Sequence, residues 1–490
     1  MKKLNELLNC EYDIIINTIV DDSREVLPNS LFFCIEGLTH DGHNYVDDAV
    51  NNGAVAIVSN KNINVSVPVI YVDNTNEAMV DALNNFYDKP LSKLDLIGCT
   101  GTDGKTTTTS IIYQLLNNLG TKTGVIGTNG ARYPGSEIDI PGHLTTPLPT
   151  TMFSVMDILA KNDCKNVIME VSSERLLTKR IDSLRFGAAI FTNVSNDHLN
   201  IHKTVENYVE CKCKLFRMVN SNGICVINID DKYADMFIKN SSAKVITYGI
   251  EHGDVYATNI KIETKQLSFK LNGVLGEYEI VSPISGKYNV YNVMAAIITV
   301  NHLGYSIEQI VNEIKNLIQV EGRSIIVEAQ DYNIIIDYAH NPNALKNLLE
   351  YANEITTNRV ITVTGSAGGR DASKRPIMGE IVINNSDYVI FTEDDPRYED
   401  PIDIVEEMIA PFKDSKNNYE IEVDRRLAIR KAVEMASKGD TIVIAGRGND
   451  TNMPVGNGYE HLNDFEEVQK NINWYSFILF VASEYKIKVA

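Results

Sequence analysis

Basic residues are scarce in this chain: 45 Lys and Arg stand against 65 Asp and Glu, a formal charge of -20. Gripping a nucleic-acid backbone needs a basic surface, so the shortage excludes nucleic acid as a partner. A small anionic substrate stays open, because a few Arg and Lys gathered in one cleft reverse the field locally. Long hydrophobic runs are also missing. The most apolar late stretch, Trp474 to Ala482, falls well short of the roughly 20 residues that cross a bilayer, so no membrane insertion is expected. Met1 is followed by two lysines and mixed residues, with no apolar core and cleavage site of a signal peptide. The seven cysteines are an odd number and are scattered. Cys211 and Cys213 diverge if they share a helix. Reduced thiols in a cytoplasmic protein follow from this, and a monomer is expected by default.

What is present is apolar material in alternating packets. With 490 residues and 44% hydrophobic composition, the chain can bury cores for about three domains. Residues 1–90 mix short apolar runs, such as Ala54 to Val58 and Val67 to Tyr71, with polar turns, and Asp88-Lys-Pro90 punctuates their end. From residue 91 to 321 the pattern is strand, glycine-rich turn, helix. Leu94 to Gly98 is the first strand and Thr107 to Leu119 the helix. Further buried-strand runs follow at Asn166 to Glu170, Ala188 to Thr192 and Gly223 to Asn228. Residues 322–490 repeat the theme, with strands at Asn333 to Asp337, Val360 to Thr364, Tyr388 to Thr392 and Asp440 to Ala445. Strands alternating with helices predict an α/β protein. A small N-terminal α/β module precedes a central doubly wound, mostly parallel sheet and a C-terminal Rossmann-like domain.

The run Gly98-Cys-Thr-Gly-Thr-Asp-Gly-Lys-Thr-Thr-Thr109 carries a phosphate-loop core, one residue longer between its glycines than the strict spacing. With a strand before and a helix after, backbone N–H groups of Gly101, Thr102, Asp103, Gly104 and Thr107 face a phosphate. Lys105 reaches the terminal phosphates and Thr106 holds Mg²⁺. ATP binding is the expectation. The loop alone does not separate a kinase, an ATPase and a ligase.

The Gly-Lys-Thr-Thr variant of this loop resembles the Mur ligase family, and further blocks agree in order along nearly the whole chain. Asp22-Ser-Arg24 and Asp41-Gly-His43 resemble the uridine-nucleotide module of the MurE branch. His143-Leu-Thr-Thr-Pro147 resembles its muramyl-dipeptide loop, and Glu170-Val-Ser-Ser173 its metal-bearing strand end. Thr192 to Leu199 and Tyr208 to Phe216 resemble its second metal segment and lysine helix. Asp337-Tyr-Ala-His-Asn-Pro342 and Gly365 to Gly379 resemble its C-terminal domain. The resemblance implies an ATP-dependent amide ligase acting on UDP-MurNAc-L-Ala-D-Glu and a diamino acid, through an acyl phosphate. It implies that Ser23, Asp41, Gly42, His43, Thr145, Thr146, Ser172 and Arg180 hold the nucleotide dipeptide, and that Asn292, Arg323 and Asp337 join the loop around ATP. Glu170 and His198 would ligate Mg²⁺, with two ions expected, and Lys212 would carry a CO₂-derived carbamate. On residue type alone, Glu170 and His198 read as polar strand-end residues and Lys212 as a helix lysine. Asp103 and Glu174 replace the family's Asn and His.

For the incoming amine, the resemblance points to Arg370, Asp394, Asp395, Arg397, Gly446 and Asp450. Relatives adding meso-diaminopimelate show Asp-Asn-Pro-Arg where this chain has Asp394-Asp-Pro-Arg397. A guanidinium grips a distal carboxylate in two bonds, which lysine lacks. Asp395 in place of Asn pulls toward a cationic partner. Gly446-Arg-Gly-Asn-Asp450 replaces Gly-Lys-Gly-His-Glu, keeping the acid one methylene shorter. The balance favours meso-diaminopimelate, with L-lysine or L-ornithine behind it. A folylpolyglutamate synthetase-like ligase would lack the uridine module, and a non-catalytic nucleotide-binding paralogue would not need Lys105, Glu170, His198 and Lys212 together.

Overall fold

A computed structural model describes residues 1–140, 144–329, 331–455 and 458–472. His143 of the dipeptide block and the apolar stretch 474–482 lie outside them. The chain forms two compact units. The first comprises Met1–Val194, Glu206–Tyr256 and Val293–Glu313. The second comprises Ser195–Val205, Ala257–Asn292 and the described part of Ile314–Ala490.

In the first unit, four short parallel strands, Thr18–Val20, Ser30–Phe33, Ala54–Ser59 and Val69–Tyr71, pair in chain order. The larger sheet runs Ser136–Ile138, Gly130–Tyr133, Thr123–Gly127, Asn166–Glu170, Asp95–Thr100, Phe186–Phe191, Val219–Asn228, Lys244–Ile250. Its first two pairings are antiparallel and the rest parallel. Asp95–Thr100 is central and buried from Leu96 onward, which explains its unbroken apolar run. The helix after it spans Lys105–Asn118, beginning two residues before the periodicity suggests. Gly104, at φ 82, turns the chain there, a conformation that costs glycine nothing.

The second unit holds an antiparallel pair, Gln266–Gly273 with Tyr278–Ser282, and a six-stranded sheet. The sheet order is Ile325–Glu328, Asn333–Asp337, Thr441–Ala445, Val360–Thr364, Tyr388–Phe391, Tyr419–Ile421. All but the first pairing are parallel. Ile335 packs with helices Pro342–Ile355, Arg375–Asn385 and Pro401–Ile409 on one face. Ile334 and Ile336 pack on the other, against Arg425–Met435. Asn341, Asp400 and Asp424 cap these helices by accepting backbone N–H bonds. The fold is a mixed α/β architecture with parallel-rich sheets. Ligands of such sheets lie off the carboxyl ends of the strands.

Candidate active site

The phosphate loop leaves the central strand at Thr100 and is tied to the end of the neighbouring strand. A Cβ on Gly101 would fall 1.9 Å from Thr192 Oγ1, so no side chain fits there. Thr192 Oγ1 donates to Asp103 O at 2.6 Å, Thr102 N–H to Asn193 O at 2.8 Å and Asp103 N–H to Asn193 Oδ1 at 3.0 Å. Thr192 and Asn193 shape the loop, a role no motif reveals.

Lys105 Nζ donates to Gly101 O at 2.9 Å and Thr102 O at 2.8 Å. Lys212, on the helix Val205–Arg217, donates to the same Gly101 oxygen at 2.9 Å and lies 4.4 Å over the Tyr208 ring. The two ammonium nitrogens therefore sit within twice a hydrogen-bond length of each other. Lys212 is 1% exposed. Lys214, two residues on, turns away to Leu176 O. Gly98 lets this helix approach, since a Cβ there would meet Leu215 and Phe186.

Glu170 ends the adjacent strand and is 1% exposed. Its Oε1 accepts Thr128 N–H at 2.9 Å and its Oε2 accepts the Thr128 hydroxyl at 3.1 Å. Glu170 stands in register with Cys99 of the central strand. Burial pushes the Cys99 thiol up, Glu170 pushes it further, and Lys105 and Lys212 pull the other way. Lys105, expected to reach phosphate, Glu170, expected to ligate Mg²⁺, and Lys212, expected to carry a carbamate, thus gather at one strand end.

The dipeptide candidates gather beside Glu170. Thr146 Oγ1 donates to Glu170 O at 2.8 Å and accepts Ser172 N–H at 2.8 Å. Thr145 and Thr128 hydroxyls lie 3.1 Å apart. Arg180 is paired with Asp21, which the sequence reading missed. Farther toward the N-terminus, Asp41 accepts Lys61 Nζ at 2.7 Å and His43 N–H at 3.0 Å. Burial would raise this carboxyl, but the bonds from Lys61 and His43 outweigh it and hold it well below the usual range. Among the described residues, His43 Nε2 is buried without a hydrogen-bond partner. Gly42 is required because a Cβ would meet Ile35 N at 2.8 Å. Ser23 opens a short helical turn, and its carbonyl accepts Asn52 Nδ2 at 2.9 Å.

The second unit collects the remaining candidates at its own strand ends. Around Tyr338 they converge: burial pushes this hydroxyl up to about 12, Asp450 and Asp394 add to the rise, and Arg323 and Arg370 oppose it. The Arg323 guanidinium lies 4.4 Å over the Tyr338 ring. Asp337 Oδ2 accepts Ser324 N–H at 2.7 Å, and burial raises this carboxyl against the pull of Arg323. Asn292 is buried and donates to Asn289 Oδ1 at 2.8 Å. His198 adopts a left-handed φ of 56 and donates its N–H to Asp197 Oδ1 at 2.9 Å. Burial would raise Asp197, but His198, His340 and Lys374 together lower it. Gly446 brings the chain against Asp394, where a Cβ would sit 2.6 Å from Oδ2. Arg397, at φ 54, has its Nε 3.2 Å from Asp395 Oδ2.

Among the described residues, no three His, Cys, Asp or Glu side chains form a metal cluster. Mg²⁺ usually takes one or two carboxylates and otherwise substrate phosphates and water. Glu170 and the buried Thr106 hydroxyl supply such oxygens. No helix among the described residues is long and apolar enough to cross a membrane.

Comparison with known proteins gives the family. Three family models match in order: "Mur ligase family, catalytic domain" over residues 16–89, "Mur ligase middle domain" over 99–300 and "Mur ligase, glutamate ligase domain" over 322–448. A UDP-N-acetylmuramoyl-L-alanyl-D-glutamate--2,6-diaminopimelate ligase of Caldanaerobacter subterraneus is 39% identical over 445 residues, covering 90% of this chain and 91% of its own. One of the same name from Clostridium acetobutylicum, numbered 1, is 39% identical over 476 residues, covering 95% and 97%. A solved structure of a 2,6-diaminopimelate ligase of that name superposes with a TM-score of 0.69 at 27% identity, covering 97% of this chain and 99% of its own. A phosphate loop pinned between two lysines, a buried glutamate at the next strand end and matches along nearly the whole length lead to one conclusion: the chain belongs to the Mur ligase family.

Proposed function

We propose that this protein is an ATP-dependent ligase joining the γ-carboxylate of D-Glu in UDP-MurNAc-L-Ala-D-Glu to an amine of meso-diaminopimelate, a step of peptidoglycan precursor synthesis. The observation that carries the reading is the convergence of Lys105, Lys212 and Glu170 on the end of the central strand. In this reading residues 1–90 hold the uridine nucleotide, 91–321 hold ATP and 322–490 hold the amino acid. The protein acts as a cytoplasmic monomer.

A carboxylate oxygen of the substrate attacks the ATP γ-phosphorus, the bond to ADP breaks, and an acyl phosphate forms. The uncharged amine then attacks the acyl carbon, phosphate leaves with the C–O bonding pair, and the nitrogen loses a proton. The first step is chiefly alignment and charge neutralisation. Lys105 leaves its loop carbonyls for the transferring phosphate, and the N–H groups of the helix start face the remaining oxygens. Thr106 and Glu170 would hold Mg²⁺, which supplies further charge when bound. A carbamate on Lys212 would turn one of two crowded cations into an anion able to hold a second ion.

Arg370 and Arg397 take the two carboxylates of diaminopimelate, and Asp395 and Asp450 the ammonium group that does not react. The test is phosphate release from Mg-ATP and UDP-MurNAc-L-Ala-D-Glu with meso-diaminopimelate, L-lysine, L-ornithine or no amino acid. Release that depends on diaminopimelate is expected. Folded protein that releases phosphate with none of them overturns the reading.

A further inference from the structure

Two loops of the second unit carry Arg370 and Arg397, and their backbones are laced together. Gly368 N–H donates to Asp395 O at 2.8 Å, and Gly369 N–H donates to Glu399 Oε1. A Cβ on Gly368 would fall 2.0 Å from Pro396 O, so only glycine allows the approach. Beneath both loops lies Arg375, the first residue of the helix Arg375–Asn385 and 1% exposed. Its Nη2 donates to Ala367 O at 3.2 Å. Its Nη1 lies 2.8 Å from Glu399 Oε2 and 2.8 Å from Glu407 Oε2. A buried guanidinium with a planar fork is pre-organised to fix such a geometry. Glu399 therefore meets the Arg370 loop directly through Gly369 and indirectly through Arg375. It is anchored to its own loop by a backbone bond, Glu399 N–H to Pro396 O at 3.0 Å.

We propose that Glu399 and Arg375 form a brace that sets the separation of Arg370 and Arg397, making them positioning residues for a substrate with two carboxylates. This rests on the reading of Arg370 and Arg397 as the carboxylate grips. A diamino diacid bridges both guanidiniums and feels any change in their spacing. L-Lysine, with one carboxylate, engages only one and does not. The side chain of Glu399 is 39% exposed, so its removal leaves no buried void. Glu407 shares the Arg375 contact but sits on the helix Pro401–Ile409, outside both loops, and serves as the control.

The experiment compares wild type, Glu399→Ala, Glu399→Gln and Glu407→Ala in steady-state phosphate release, with meso-diaminopimelate and L-lysine as separate amine substrates. Losing a hydrogen bond to a charged group predicts that Glu399→Ala raises KM for diaminopimelate about tenfold. Its kcat, its KM for ATP and for the nucleotide substrate, its kcat/KM with L-lysine and its thermal midpoint stay near wild type. Glu399→Gln, which keeps an acceptor, recovers part of the loss, and Glu407→Ala behaves as wild type. An unchanged diaminopimelate KM in Glu399→Ala, or a rise shared by every substrate, overturns the brace while leaving the ligase reading intact. Wild-type protein that never uses diaminopimelate overturns both.

Discussion

Glu170 is held by what its neighbour lacks, and Gly127→Ala tests that directly. A Cβ on Gly127 would stand 2.2 Å from Glu170 Oε1, 2.8 Å from its Cδ and 2.9 Å from its Cγ. The carboxylate is 1% exposed and cannot swing into water. It must leave the Thr128 N–H and hydroxyl at 2.9 and 3.1 Å. Overpacking of this kind costs about 1–3 kcal/mol, and an unmade bond to a charged group about 1.5–3 kcal/mol. Partial relaxation lets these overlap, so a stability loss of about 2–4 kcal/mol is expected in denaturant unfolding. A displacement of about 1 Å at a reacting centre costs roughly 10²-fold in rate, so phosphate release should fall by that order. Gly187→Ala in the same sheet is the control: the nearest atom to its Cβ is Leu96 O at 3.8 Å, and stability should change by less than about 0.5 kcal/mol. Wild-type turnover and midpoint in Gly127→Ala would refute the placement of Glu170.

Lys212→Ala should lose roughly 10²–10³-fold in turnover and regain part of it with added short carboxylates such as acetate; folded, inactive protein with no rescue would count against the carbamate. Asp464→Ala should destabilise the protein by about 3–5 kcal/mol in urea unfolding, because it strands Arg425, whose Nε and Nη2 donate to Asp464 at 2.8 and 2.7 Å in full burial. Asp440 accepts from Asn358, Arg359 and Ser437. Burial would raise its carboxyl, but these bonds lower it, so its contribution is whole above the unfolded value of about 3.9 and fades as pH falls through the folded one. The stability gap between wild type and Asp440→Asn should therefore be full at pH 7 and close below about pH 4, as pH-dependent unfolding would measure.

Strands buried on both faces were legible because parallel sheets demand continuous apolar runs. Asn166–Glu170 and Asn333–Asp337 were read to the residue. The strands Gly130–Tyr133 and Ser136–Ile138, at one margin of their sheet, carry Arg, Tyr, Ser and Glu, and Tyr419–Ile421 is three residues long. None has a period to detect. The phosphate loop could be read because its chemistry sits in consecutive residues. Contacts made across the sheet could not: Thr192 against Gly101, Gly127 against Glu170 and Asp21 against Arg180 join positions far apart in sequence. The Asp395–Arg397 pairing is two residues apart, yet it depends on the left-handed turn at Arg397.

The single carbonyl of Gly101 that serves two lysines also bears on what the loop ignores. An arriving anion does not meet idle cations; it must displace a bond the protein already has. A lone orthophosphate offers too few oxygens to outbid that carbonyl and the loop amides at once, whereas a polyphosphate chain engages several donors together. On the reading proposed above, the exchange would favour triphosphate over the phosphate released in each turnover, easing departure of product without any moving gate.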